Sequence, residues 1–178
     1  MNQKESILLS IFITALICAN LLGNKIITLF GITTSVGIFA VPFTFLVTDI
    51  IEETFGKKET KKFVIAGIIA LILSFILVAI SRAMPAASFY GQDQAYNVIF
   101  GNSLRIIIAS LTGFIIAQYH DIWAFNFWKK LTKKKHLWLR NNLSTTVSQF
   151  LDTTIFTFIA FYLVTPEYNI ARMVSMII

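Results

Sequence analysis

Charge is scarce in this chain. Of 178 residues, 13% are charged, against 56% hydrophobic, and the mean hydropathy is +0.74. An average soluble domain carries about 25% charged residues. The shortage excludes a soluble globular domain and leaves an integral membrane protein. Cysteine is nearly absent as well. Cys18 stands alone within an apolar run, so no intramolecular disulfide forms and redox chemistry is excluded. The two histidines, His120 and His136, are not at metal-ligand spacing. No nucleophile–base pair, phosphate loop or ATPase motif occurs, so the reading is a non-enzyme with no cofactor and no metal. No lipidation motif is evident.

The basic residues are present but grouped. Lys57, Lys58, Lys61 and Lys62 fall in one connection, and Lys129, Lys130, Lys133, Lys134, Lys135 and Arg140 in another. A net charge of +6 could signal a nucleic-acid partner. This distribution instead follows the positive-inside rule, so no nucleic acid is expected.

Long apolar runs fill the rest. A span needs about 20 mainly apolar residues. Spans are expected near 6–28, 35–54, 63–82, 97–119 and 143–165, with a partial sixth over 168–178. The first run is too long for a signal peptide's core and lacks a clear cleavage site. The fold class is therefore an all-α, six-helix transmembrane bundle forming a single domain over 1–178. With both lysine-rich connections cytoplasmic, the N-terminus is cytoplasmic too, and eleven of the fifteen basic residues fall on that side. Pro85 ends the third helix. Trp128, Trp138 and His136 suit an interfacial belt. The last 11 residues make only about 16 Å of helix, short of a core of about 30 Å. The sixth helix is therefore expected to be truncated or not to span.

Against this apolar background a few polar residues stand out. A charge at the bilayer centre costs at least ~2.5–3.5 kcal/mol on insertion scales. Asp49, Arg105 and Asp152 lie inside expected spans, so each should face a bundle interior or a wet cavity. On the first helix Ala15, Ala19 and Gly23 form a small-residue stripe suited to close packing, and Asn20 and Asn24 lie beside it. On the second, Pro42, Phe45, Asp49, Glu52, Glu53 and Gly56 share a face, and Pro42 is expected to kink or break the helix. On the fourth, Arg105, Ala109, Thr112 and Gly113 form one stripe, and Ser110, Ala117, Gln118 and Asp121 another. On the fifth, Thr145, Ser148, Gln149, Asp152 and Phe156 share a face. Arg105 and Asp152 both lie near mid-span, with depths differing by about 5 Å at helical rise, so an ion pair between them is feasible. Asp, Gln, Asn, Arg and Phe together suit a flat polar heterocycle. A carboxylate accepts two N–H bonds, an amide both donates and accepts, and an aromatic face stacks the ring. The same set would hold an amino acid or a vitamin.

The run Pro42-Phe43-Thr44-Phe45-Leu46-Val47-Thr48-Asp49, followed by Phe55-Gly56-Lys57-Lys58, resembles the second-helix motif of the bacterial queuosine precursor transporters, of the vitamin uptake transporter group. The resemblance continues at Asn20, at Arg105 with Ala109-Ser110, at Gln118-x-x-Asp121 with Phe125, at Ser144-Thr145, and at Asp152-Thr153 with Phe156. It implies a carrier in the inner membrane for 7-cyano-7-deazaguanine, 7-aminomethyl-7-deazaguanine or queuine. The implied fold is similar to the substrate subunits of energy-coupling-factor transporters. Matching the family's polar core are Asn20, Asp49, Arg105, Ser110, Gln118 and Asp152, to which the fifth-helix stripe adds Gln149 as a substrate-binding residue. The partners expected are this small molecule and the lipid bilayer, with an energy-coupling module or a second copy as further candidates. An energising subunit would dock on the Ala15, Ala19 and Gly23 stripe.

Overall fold

The computed structural model describes residues 3–29, 32–132, 137–162, 170, 173 and 174. In chain order these form α1 (Gln3–Leu22), β1 (Ile26–Leu29), β2 (Ile32–Ser35), a 3-10 turn (Val36–Phe39), α2 (Val41–Phe55), α3 (Lys57–Ala83), α4 (Asp93–Leu131) and α5 (Leu137–Phe161). Three segments are long and apolar enough to cross a membrane: Gln3–Leu22, Lys58–Ala83 and Asp93–Ala117. The chain is an α-helical membrane protein. Five helices lie among the described residues, and most of the expected sixth falls outside them.

The first expected span is too long at its C-terminal end. It was placed to residue 28, but α1 stops at Leu22 and residues 26–29 are a strand. Gly23 and Asn24 follow the helix, and both residue types favour a helix end. The β-branched residues Ile26, Ile27, Thr28, Ile32, Thr33 and Thr34 then build an antiparallel hairpin, with Ile26 opposite Ser35 and Leu29 opposite Ile32. Two residues separate the strands, the commonest hairpin connection. Apolarity alone does not separate such strands from helix.

The second span starts later than its expected boundary at 35. Ser35 closes β2, and its Oγ accepts the Gly37 N–H (3.1 Å), capping the 3-10 turn. The helix begins at Val41, which puts Pro42 in its first turn. A missing N–H costs nothing there. Pro42 therefore starts the helix rather than kinking it. The 15 residues of α2 rise about 22 Å. The four-residue 3-10 turn before it adds about 8 Å.

The lysine-rich connection before the third span is a single residue. Gly56 (φ 83°, ψ 168°) separates α2 from α3. Lys57, Lys58, Lys61 and Lys62 lie on the first turns of α3 instead of in a loop. At the other end Met84 is extended (ψ 137°), as a residue before proline must be, and Pro85 follows the helix end as expected. Then α4 runs for 39 residues, about 58 Å. It continues past the expected end at 119, so Trp128 sits on helix rather than in a connection. Trp138 begins α5.

The described structure divides into two compact units, Met1–Ile107 and Ile108–Ile178. In the first, α1, α2 and α3 pack on one another. Phe12, Val47, Ile51 and Phe63 form the core, with Leu8, Leu9, Ile13, Leu16 and Phe55 against it. Gly67 lets α3 approach α1, since a Cβ there would lie 2.8 Å from both Phe12 and Leu16. The opposite side of α3 exposes Ile65, Ile69, Ile72, Leu73, Ile76, Leu77 and Ile80. A row this apolar suits hydrocarbon and not water. In the second unit α4 buries Ala109, Ala117 and Ala124, and α5 buries Ser148, Thr157, Ala160 and Phe161.

Candidate functional site

In the first unit the polar residues gather where α1 ends. Asn20 is buried, and its amide donates to the Leu16 carbonyl at 2.9 Å. One turn on, Asn24 donates through Nδ2 to the Leu21 carbonyl (2.9 Å) and to Ser103 Oγ on α4. Ser103 is fully buried. Ser35 donates to the Gly23 carbonyl (2.8 Å), tying the 3-10 turn to the end of α1. A Cβ on Gly37 would lie 2.8 Å from the Ala19 carbonyl. At Ala19 the small stripe on α1 packs on Gly37 within the chain. Ala15 lines an apolar groove of about 470 Å³ with Ile11, Leu22, Val36, Phe39 and Phe43. That groove has no charged lining residue.

Asp49 lies on α2, flanked in sequence by half-buried Thr48 and exposed Ile50. Its side chain, like that of Gln118 on α4, lies outside the described residues. Arg105 is half-buried on α4, two residues beyond Ser103, and Ser110 is half-buried one heptad beyond Ser103.

In the second unit, α4 and α5 meet along a polar seam. Gly113 removes the side chain that would otherwise strike Asp152, for a Cβ there would stand 2.6 Å from Asp152 Oδ1. Seven residues further along α4, His120 Nδ1 lies 3.0 Å from Ser148 Oγ. Ser148 is buried and Asp152 half-buried, whereas Gln149 is exposed. The expected α5 stripe therefore divides: Ser148 and Asp152 turn toward α4 and Gln149 does not. Thr145 lies outside the residues whose side chains are described. Reading the sequence missed both the His120–Ser148 and Asn24–Ser103 contacts. The usable signal for the second was Asn24 itself, an amide just beyond an apolar helix.

Each unit thus sets hydrogen-bonding side chains inside otherwise apolar helices. A model of the putative vitamin uptake transporter family matches residues 35–178. The chain belongs to this family. A probable queuosine precursor transporter of Bacillus subtilis is 36% identical over 154 residues, covering 85% of this chain and 67% of the relative. The queuosine precursor transporter of Escherichia coli is 29% identical over 163 residues, covering 90% and 71%. A probable queuosine precursor transporter of Haemophilus influenzae is 29% identical over 127 residues, covering 71% of this chain and 51% of its own length. No solved structure matches the chain. Asp49, Arg105, Ser110, Gln118, Gln149 and Asp152 fall inside the matched region, and Asn20 and Asn24 precede it.

Proposed function

We propose that this protein imports a 7-deazaguanine precursor of queuosine through the inner membrane as a multi-pass carrier. The observation that carries the reading is the 36% identity to the Bacillus subtilis protein, which extends over 85% of this chain. The polar side chains set inside apolar helices support it, because a carrier must replace the water that its cargo sheds. A guanine-like edge presents N–H donors side by side. Asp49 or Asp152 is assigned to accept them, with Asn20, Ser110, Gln118 and Gln149 adding hydrogen bonds. Arg105 is assigned to orient a carboxylate. The single-domain bundle with a cytoplasmic N-terminus belongs to the same proposal. So does action as a stand-alone carrier: Gly37 already packs on Ala19 of the stripe that an energising subunit would use.

The test is uptake of labelled 7-cyano-7-deazaguanine by a queuosine-deficient bacterial host that lacks every energy-coupling module. The chain is expected to restore uptake alone. Asp49→Asn and Asp152→Asn, confirmed as inserted in the membrane, are each expected to lower it at least tenfold. Full uptake in both variants sinks the site assignment, and no uptake by the unaltered chain sinks the carrier reading.

A further inference from the structure

Asn24 holds the one buried side-chain acceptor among the described residues that has no hydrogen-bond partner: its Oδ1 is shielded from solvent and meets no donor. The rest of its surroundings is satisfied. One Nδ2 hydrogen goes to the Leu21 carbonyl and the other to Ser103 Oγ. The Ser103 hydroxyl has the Ile99 carbonyl (3.3 Å) and the Leu21 carbonyl (3.4 Å) as acceptors. These contacts fix which way the amide points. Turning it over would set Oδ1 against the Leu21 carbonyl oxygen, two acceptors face to face. The carboxamide is therefore clamped by its nitrogen and offers its oxygen alone. Buried acceptors are nearly always paired, so one held like this calls for an N–H from elsewhere.

We infer that Asn24 is a specificity-determining residue for the cargo, its Oδ1 accepting an N–H from the exocyclic amine of a guanine-type base. This rests on the transport reading above. A base that brings this donor makes a hydrogen bond that an analogue lacking it cannot make, and that bond is the whole of the discrimination. Ser103 is a positioning residue, since it acts only by holding the amide. The contact lies wholly within the first unit, between the end of α1 and α4.

The experiment measures equilibrium binding of 7-deazaguanine and of 7-deazahypoxanthine, which lacks the amine, to the purified full chain. The unaltered protein is expected to prefer 7-deazaguanine at least tenfold. Asn24→Leu, similar in volume, is expected to bring the ratio to within threefold of unity. It should do so by weakening 7-deazaguanine and leaving 7-deazahypoxanthine unchanged. Ser103→Ala is expected to fall between the two. Equal affinities in the unaltered protein overturn the inference without any variant being needed, so a failure of Asn24→Leu to fold does not protect it. An unchanged preference in a folded Asn24→Leu protein overturns it as well, and assigns the discrimination to the carboxylates. Both results leave the transport reading standing. Failure of the unaltered protein to bind either base removes the transport reading and this inference with it.

Discussion

At the scale of single residues, the informative positions are those where a side chain is missing. Gly113 stands where a Cβ would fall 2.6 Å from the Asp152 carboxylate and 3.2 Å from the Asp152 carbonyl oxygen. Alanine is the better helix former by ~0.8–1.0 kcal/mol, yet the contact is to backbone as well as side chain and has little room to yield. Gly113→Ala is expected to destabilise the protein by about 1–3 kcal/mol through overpacking, and to lower uptake by displacing Asp152. Thermal unfolding in detergent measures the first effect and the transport assay the second. Gly91→Ala is the matched control, with nothing within 4 Å of the added carbon. It should stay within about 0.5 kcal/mol of the parent. The stripe Arg105, Ala109, Thr112 and Gly113 was visible in the sequence, but its partner was not. Helical spacing puts residues on a face, whereas the identity of the facing helix is a long-range property.

At the scale of elements, the boundaries show what apolarity conceals. The sequence pattern located every described helix, and placed Pro85 just beyond the end of α3. It overran α1 by six residues, from Leu22 to 28, because Ile26, Ile27 and Thr28 are as apolar as a span and differ only in being β-branched. It also read a lysine-rich loop where Gly56 alone joins α2 to α3. Lysines at a helix start oppose the helix dipole, so local preference argues against the arrangement and tertiary packing by Phe63 overrides it. Gly56 occupies a backbone region (φ 83°, ψ 168°) essentially reserved for glycine. No neighbouring atom would meet a Cβ there, so any cost is backbone strain alone. Gly56→Ala is expected to destabilise by about 1–3 kcal/mol, measured as a loss in thermal midpoint. Of the candidate site, the residue types were legible from the sequence. The clamping of Asn24 was not, since it needs Ser103 from a helix 79 positions away in the chain.

At the scale of the whole molecule, charge sets the expected orientation. The lysines at the start of α3 are expected on the cytoplasmic side and the segment from Met84 to Gln92 on the other. In a Cys18→Ala background, Gly91→Cys is expected to react with a membrane-impermeant maleimide on intact cells. Lys58→Cys should react only after the membrane is opened. The reverse pattern would invert the topology. The hairpin after α1 provides an independent gauge of depth. Each strand satisfies its neighbour along one edge only, leaving the outer N–H and C=O groups of residues 26–29 and 32–35 to find partners elsewhere. Hydrocarbon supplies none, and irregular or open-edged backbone does not survive facing lipid. The hairpin is therefore expected to mark a waterline, with the acyl chains ending near the last turn of α1 and Lys25 at the level of the headgroups.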